Sequence, residues 1–333
     1  MTIKQYIISF AAAALTAVLL TGCSGDSASD ISPDPTPSTG KSEIKVNADI
    51  RQMMEGTRLT KIDNIQSEDL KIDAYYHDTE TKFLDGKRLR YNASAWKFWS
   101  DGEPGAQEHY YWPFEGSTVA GSSTVASTLD FVGYCPFSTP AYITGSSFDH
   151  ASGASFTCDM SSYMTLASQD GLKEYLIAVL NEQTLATQTA AGGALPLVFK
   201  HPFALIKFVI TTASGTHVKI NSISLAGLKT SGTCTYNGTA MSWGSHSGSA
   251  TLSNVQEMKV GGTTETGLFM VIPKSYGSKT LTVNATWDDW SNVTMDVSAN
   301  VTFNWQPGYI YTYNLTLAKY ALTVDEAKYT EQW

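Results

Sequence analysis

The chain has 333 residues and a net charge of −9, and charged residues make up only 16% of it, against about 25% in average soluble proteins. The sequence has no basic run of the kind that binds nucleic acid, and its only long apolar stretch lies near the amino end. Ser, Thr, Asn and Gly replace charges, a composition typical of exported β-rich proteins.

The amino end reads as an export signal that ends in a lipid attachment site. Residues 7–20 are apolar except for two, but a membrane-spanning helix needs roughly 20 such residues. This stretch therefore fits the core of a signal peptide over residues 1–22. Leu20-Thr21-Gly22-Cys23 resembles a bacterial lipobox, which predicts cleavage before Cys23 and lipidation of its thiol. An ordinary signal with a chance cysteine is the alternative.

Residues 23–42 follow as a segment rich in Ser, Asp and Pro. Such a composition cannot bury enough apolar surface to fold, so we interpret it as a flexible tether. Ser24, rather than an aspartate, follows the cysteine, which by resemblance favours the outer membrane over the inner one. The expected location is therefore the cell outer membrane, with the chain anchored through lipid.

The first strand is predicted at residues 43–50, EIKVNADI, where apolar and polar residues alternate strictly. One face of it carries Ile44, Val46, Ala48 and Ile50. A second strand is predicted at Leu70–Tyr76. Further strand-like segments follow: Leu129–Tyr134, Leu197–Phe199, Ala204–Thr211, Val218–Leu225, Gly267–Ile272, Thr280–Trp287, Val293–Phe303 and Tyr309–Leu317.

Turn signals separate several of these strands. Asp85-Gly86 and Asn237-Gly238 each have the residues of a tight hairpin turn, which needs positive φ. Pro307-Gly308 predicts a turn before the last strand. Residues 172–180, LKEYLIAVL, have helical spacing but are short, so a strand remains open.

The pattern as a whole predicts an all-β chain. Residues 183–196 are small, contain glycine and show no periodicity, and we place a domain boundary there. The spacing then supports two β-sandwich domains in tandem, at residues 43–190 and 191–333.

No sequence motif indicates catalysis or a metal site. The remaining cysteines, Cys135, Cys158 and Cys234, are odd in number, so either a Cys135–Cys158 bridge or three buried thiols is open. The histidines lie apart in the sequence without metal-ligand spacing: His77, His109, His150, His201, His217 and His246. We interpret His201 as packed and hydrogen-bonded. No nucleophile elbow, P-loop or zinc-protease motif occurs, so we expect no enzymatic activity, metal or cofactor.

Two groups of tryptophans could contact sugars. Trp96 and Trp99 either pin a strand to the core or form a stacking surface, and we favour the core. Residues 287–290, WDDW, could be a sugar or calcium contact, since carboxylates suit calcium, or a hairpin tip, which we favour.

Five segments together resemble the fimbrillin family, the type V pilus subunits of Bacteroidetes. They are YYWPFEGS with LDFVGYCPF, LPLVFKHPFALIKF, LFMVIPKS, WQPGYIYTYNLTL and LTVDEAKYTEQW, in family order. The resemblance implies two transthyretin-like β-sandwich domains and no enzyme. It also implies that residues 174–180 form a strand. The cysteines and a long loop at 115–128 depart from the best-known members.

The resemblance further implies assembly by protease-triggered strand exchange. An arginine-specific protease is expected to cut between Arg58 and Leu59, with Arg51 as second choice because it directly follows a strand. The first strand would then leave, and a strand of another subunit would fill its place. The best donor is the final segment, through one face of it: Tyr309, Tyr311, Tyr313, Leu315 and Leu317.

The expected function is therefore that of a pilin, a structural subunit of a cell-surface fimbria that serves cell adhesion. Its expected partners are other pilin subunits, the outer membrane through lipid, and candidate glycans or proteins of host or bacterial surfaces. Nucleic acid is not expected. The alternative is a surface lipoprotein that binds glycans and does not polymerise.

Overall fold

Residues 41–50, 64–79, 81–102, 105–113, 128–213, 217–254, 258–287, 293–318, 320–325 and 328–331 are described by a computed structural model. The predictions for residues 1–22, Cys23, Arg51, Arg58 and Leu59 concern residues outside these ranges. Within the ranges, no helix has both the length and the apolar character needed to cross a bilayer.

Strands dominate the described chain, so the all-β prediction is confirmed. The strands up to residue 183 are β1 Val46–Ile50, β2 Leu70–Tyr76, β3 Lys82–Asn92, β4 Ala95–Trp99, β5 Gln107–Glu108, β6 Leu129–Cys135, β7 Ile143–Asp149, β8 Gly153–Asp159 and β9 Leu176–Gln183. The described helical segments are one short helix, α1, at Leu185–Ala190 and three 3₁₀ turns at Ile65–Ser67, Ser161–Tyr163 and Ala167–Gln169.

The later strands follow α1 in two runs. The first is β10 Leu195–Phe199, β11 Ala204–Thr212, β12 Val218–Leu228, β13 Ser231–Tyr236, β14 Met241–Ser247, β15 Ala250–Asn254 and β16 Met258–Val260. The second is β17 Thr263–Glu265, β18 Phe269–Val271, β19 Ser275–Trp287, β20 Val293–Asn304, β21 Tyr309–Ala318, β22 Ala321–Val324 and β23 Lys328–Glu331.

The first hydrophobic cluster lies between a six-stranded antiparallel sheet, in the order β5-β4-β3-β2-β6-β9, and the parallel pair β1-β10. The sheet supplies apolar residues at alternate positions, as a sheet with one face on a core requires. Gly133 in β6 lies so close to β10 that a Cβ there would meet the Phe199 ring at 2.7 Å. The two layers are therefore in close contact.

A second cluster lies among three further sheets. Their orders are β14-β13-β8-β7, β15-β12-β19-β20 with β16 beside β12, and β17-β11-β21-β22 with β18 beside β11 and β23 beside β21. Most neighbouring strands in them are antiparallel, but β11 and β21 run parallel.

Strands β6 and β9 contribute to both clusters. Phe131 of β6 belongs to the first cluster, whereas its neighbour Val132 belongs to the second. Ile177 and Ala178 of β9 divide in the same way. Every residue of β6 is buried for this reason, since a strand covered on both faces has no side exposed to water.

Strands from both sides of residue 190 share sheets. β1 pairs with β10, and β8 pairs with β13. Each hydrophobic cluster likewise takes residues from both sides of that position. The division into domains 43–190 and 191–333 stays a prediction.

The hairpin predicted at Asp85-Gly86 is wrong, because β3 runs through both residues. Gly86 has φ +57°, and the register between β2 and β3 shifts beside it, so the backbone forms a bulge. Its N–H donates to the Asp73 carboxylate at 2.7 Å, which holds the bulge in the sheet. The chain turns instead at Ala93 and Ser94, both at positive φ.

Other local predictions agree with the structure. Asn237-Gly238 lies between the paired strands β13 and β14, with Gly238 at φ +92°. The ambiguous segment LKEYLIAVL ends in β9, so the strand interpretation is confirmed from Leu176 onward. The cysteines are three buried free thiols, and no Cys135–Cys158 bridge forms.

Candidate functional site

The segment that contains β1 covers one side of the first hydrophobic cluster. The apolar face predicted from the sequence is buried, with Ile44, Val46, Ala48 and Ile50 only 2%, 4%, 5% and 6% exposed. The alternate residues Lys45, Asn47 and Asp49 are exposed. The four apolar side chains are therefore part of the core.

Among the described residues, β1 pairs with another strand along one of its edges. That neighbour is β10, in parallel register from Val46 opposite Leu195 to Ile50 opposite Phe199. The other edge faces β4 across a cleft of about 490 Å³. Across it, the Trp96 indole N–H donates to the Ala48 carbonyl at 3.0 Å. One backbone ladder, one side-chain hydrogen bond and apolar packing thus hold this part of the strand.

Gln188 forms hydrogen bonds with the backbone at the start of the β1 segment. The Thr184 side chain caps α1 by accepting from the Thr187 N–H, and this short helix carries Gln188, which is buried, toward the strand. Its amide nitrogen donates to the Glu43 carbonyl at 2.9 Å, and its oxygen accepts from the Lys45 N–H at 2.9 Å. The Trp112 indole N–H also donates to that oxygen, at 3.1 Å. The sequence reasoning missed Gln188, and the Thr184-x-x-Thr187 spacing was the available signal of a helix start.

A second fastening involves residues 109–112. The Ile44 N–H donates to the Tyr110 carbonyl at 2.7 Å, and Glu43 contacts the His109 ring at 2.6 Å. The Tyr110 hydroxyl donates to Glu108, and burial, followed by this hydrogen bond, raises the pKa of Tyr110 well above its ordinary value. The phenol therefore stays a neutral donor at physiological pH.

The predicted processing site falls in the chain between Ile50 and Asn64. Arg51, Arg58 and Leu59 are all within residues 51–63, outside the described part of the chain. Any cut there would separate β1 from the rest of the chain. The Cys23 lipidation prediction also falls outside it.

The candidate donor segment is β21. Tyr311, Tyr313, Leu315 and Leu317 are buried in the second cluster, whereas Tyr309 is half-buried. The strand has partners on both edges, namely β11 on one side and β22 with β23 on the other. In this structure it is therefore an interior strand of the chain's own sheet.

The structure confirms one of the tryptophan predictions and leaves the other untested. Trp96 is buried in the first cluster and Trp99 is half-buried under the Arg90 guanidinium, so the core interpretation is confirmed for Trp96. Trp287 is buried at the end of β19, opposite Val293 of β20. The remaining residues of the WDDW stretch, 288–290, lie outside the described ranges, so neither its hairpin-tip nor its ligand interpretation is tested.

The histidines behave in two ways. His201 is buried and its Nδ1 lies 2.8 Å from the Glu174 carboxylate, as the packed and hydrogen-bonded interpretation predicted. His77 and His150, far apart in the sequence, converge on the buried carboxylate of Asp130. The sequence reasoning missed this cluster because it considered only spacing along the chain.

The fold is that of an all-β protein whose first strand is buried in its core. The chain belongs to the fimbrillin-like family, whose sequence pattern matches residues 57–333. This match supports a role as a pilin or adhesin at the cell surface, and favours a structural rather than an enzymatic protein. No curated protein sequence matches the chain.

Several solved structures superpose over most of the chain. A Bacteroides uniformis structure described as a cell adhesion protein shares 15% identity with a TM-score of 0.49, over 90% of this chain and 100% of its own. The tip fimbrial protein Mfa3 of Porphyromonas gingivalis, truncated at its C-terminus, shares 11% at 0.40, over 80% and 94%. The fimbrial anchor protein Mfa2 of the same organism shares 10% at 0.36, over 87% and 98%.

Proposed function

We propose that the chain is a pilin, a structural subunit of a cell-surface fimbria that serves adhesion. It is exported as a lipoprotein through Cys23 and reaches the outer membrane. A protease then cuts after Arg58, with Arg51 as the second choice, and subunits join by strand exchange. Its partners are other pilin subunits and, at the surface, glycans or proteins of host or bacterial cells.

The observation that supports strand exchange is the burial of the β1 segment, residues 44–50. This segment precedes the predicted cleavage site at Arg58 in the sequence, so a cut there would allow it to leave. Each large aliphatic side chain contributes roughly 1.5–3 kcal/mol when fully buried. Loss of Ile44, Val46 and Ile50, with the smaller Ala48, would therefore cost on the order of 5–10 kcal/mol. That approaches the whole stability of a typical domain, roughly 5–15 kcal/mol. A vacated groove would thus favour a replacement strand.

The replacement has to offer alternating apolar residues and free backbone groups, as in other strand-addition complexes. The face of β21 that carries Tyr309, Tyr311, Tyr313, Leu315 and Leu317 has that alternation. Because this strand is interior in the unassembled chain, donation requires that it first leave β11 and its own core. Each subunit would give to the next in a head-to-tail contact that does not close, which builds a filament.

Incubation of the purified chain with an arginine-specific protease tests the proposal. We expect a new amino terminus at Leu59 and ladders of oligomers on gels run without heating. Arg88 and Arg90 should survive, because both lie within β3, which pairs with strands on both edges.

Matched variants separate the two candidate sites. Arg58→Gln should abolish the cut and the ladders, whereas Arg51→Gln should leave both intact. Oligomers from uncut Arg58→Gln, or a cleanly cut wild type that stays monomeric, would contradict the mechanism.

A glycan-binding lipoprotein that never polymerises is the alternative. Such a protein would present aromatic rings to sugars, and an exposed platform that included Trp96, Trp99 or Trp290 would support it. Trp290 lies outside the described residues. Trp96 is buried and donates to the Ala48 carbonyl, so it is not available for stacking. The pilin proposal is therefore the better supported of the two.

A further inference from the structure

Three metal-ligating side chains meet where the six-stranded sheet approaches the β7-β8 hairpin. His77 directly follows β2, Asp130 lies in β6, and His150 lies in the turn between β7 and β8. The Nδ1 atoms of both histidines are 3.0 Å from the same carboxylate oxygen, Asp130 Oδ2. One ligand atom from each residue lies within 4.8 Å of the other two.

The geometry points to a binding site for a divalent transition metal, with Zn²⁺ as the best match. We infer that His77 Nδ1, His150 Nδ1 and Asp130 Oδ2 are its ligands. In a tetrahedral zinc site with bonds of about 2.0–2.1 Å, neighbouring ligand atoms are roughly 3.3 Å apart. The two 3.0 Å separations are within a few tenths of an ångström of this value. A small outward shift of the rings would admit the ion between the two ring nitrogens and the carboxylate oxygen.

The residues around the three ligands hold the Asp130 carboxylate in a fixed position. Asp130 is fully buried, and its other oxygen, Oδ1, accepts from the Glu182 N–H at 2.7 Å. That bond fixes the carboxylate, whose two oxygens are both 3.0 Å from His77 Nδ1 and whose Oδ2 is also 3.0 Å from His150 Nδ1. Glu182 reaches this position through a β-bulge at φ +57°, a backbone conformation that non-glycine residues rarely adopt. Bulges that redirect a group in this way are common beside functional sites.

Glu182 also supports one ligand from behind. Its carboxylate lies 3.6 Å from Nε2 of His77, on the opposite side of the ring from Nδ1. Metal-binding histidines usually have a carboxylate or carbonyl partner at the second nitrogen, which fixes the tautomer and strengthens the ligand. His77 is further fixed through its backbone N–H, which donates to the Thr128 carbonyl at 3.1 Å.

The donor set selects the class of metal. Two imidazoles and one carboxylate suit Zn²⁺, Cu²⁺ or Ni²⁺, whereas Ca²⁺ and Mg²⁺ prefer oxygen ligands alone. The His150 side chain is 36% exposed and that of His77 is 18% exposed, so solvent reaches one side of the site. Water can supply the fourth ligand there. A bound ion would connect the β7-β8 hairpin to the six-stranded sheet.

Zinc titration of the purified full chain, stripped with a chelator, tests the site. We expect one Zn²⁺ per chain by calorimetry and metal analysis, and no comparable binding of Ca²⁺. Saturating Zn²⁺ should raise the melting temperature by roughly 5 °C, because a ligand at 100 times its Kd adds about 2.7 kcal/mol. His77→Gln and His150→Gln should each weaken binding at least tenfold, and the double variant should abolish it.

His217→Gln is the matched control, because His217 is an exposed histidine that is not part of the cluster. It should bind Zn²⁺ as the wild type does. Glu182→Gln changes a side chain that is 72% exposed, so it should fold and yet bind Zn²⁺ about tenfold more weakly. This variant decides the matter if the histidine variants fail to fold.

Two results would overturn the site. One is a wild type that binds no Zn²⁺ at submillimolar concentration and gives no visible bands of tetrahedral Co²⁺. The other is Zn²⁺ binding that survives unchanged in the double variant, which would place the ion elsewhere. Both outcomes are independent of whether the chain polymerises.

Discussion

The contribution of the β1 segment to stability can be measured with two isoleucines at its ends. Ile44→Ala and Ile50→Ala each remove a side chain that is at least 94% buried, since the residues are 2% and 6% exposed. Such a truncation costs about 2–5 kcal/mol. Six residues of extended chain separate the two by roughly 20 Å, so their effects should add. The double variant should therefore lose about 4–10 kcal/mol of unfolding free energy.

Urea unfolding is a suitable assay, because Trp96 and Trp112 lie in the same hydrophobic cluster and report on its exposure. With a urea dependence of about 1–3 kcal/mol per molar, the midpoint should fall by more than about 1 M. Far-UV circular dichroism should report the same order of stability.

Asn47→Ala with Asp49→Ala is the matched control, because both residues lie on the exposed face of the same strand. These changes should alter stability by no more than about 0.5 kcal/mol each. If the isoleucine pair shifts the midpoint no more than this control does, the segment is not an integral part of the core, and the proposed vacancy after cleavage carries no energetic penalty.

Three further outcomes follow from the contacts around the cores. Gln188→Ala leaves buried partners unsatisfied, so urea unfolding should show that the free energy of unfolding falls by about 2–4 kcal/mol. The Gln188→Glu variant should lose less stability than Gln188→Ala does. In a Cys23→Ser variant, the folded protein should show no thiol that reacts rapidly with Ellman's reagent at pH 8, and the unfolded protein should show three. Burial raises the pKa of the Cys158 thiol from 9.0 to about 12. The unfolded chain ionises first, so stability should fall as pH rises from about 9 toward 12, measured by urea midpoints across that range.

Each of these has a contrary result. A Gln188→Ala protein as stable as the wild type would mean that water replaces the amide. Rapid labelling of a thiol in the folded state would mean that at least one cysteine is accessible. A urea midpoint that stays constant above pH 9 would show that ionisation of the buried groups is not linked to unfolding.

The strands that the sequence predicted best are those with one wet face. Alternation over residues 43–50 indicated which side chains of the first strand are buried, because water on one face imposes a period of two. β6 lacks alternation, since both of its faces are covered, and its prediction depended on its apolar residues and on the family resemblance of LDFVGYCPF. Strand β7 has no clear pattern, because it is exposed and has small polar residues on both faces.

Turn-forming residues were a poorer guide to the structure than the alternation of apolar residues in strands. Asp85-Gly86 has the residues of a hairpin turn, yet β3 pairs with β2 on either side of these residues, so the same positive φ forms a bulge. Ala93 and Ser94 form the real turn without a glycine, because pairing of the flanking strands imposes the conformation. Local preference was outweighed by tertiary pairing in both places.

The clustered histidines could not have been predicted from spacing. His77 and Asp130 are 53 residues apart, and Asp130 and His150 are 20 apart. Only the arrangement of β2, β6 and the β7-β8 turn brings them together. The role of Gln188 is similar, because it depends on a short helix that a segment of small residues gave little reason to expect.

The sharing of β6 and β9 between two cores has a mechanical consequence. In a filament of the kind proposed above, a subunit would be pulled along its length by flow and by attached cells. Two separate halves joined by a linker would give way at the weaker half first. Here β6 and β9 line both hydrophobic clusters, so a force that opens one cluster must also disturb the other. The subunit should therefore unfold under tension in a single cooperative step.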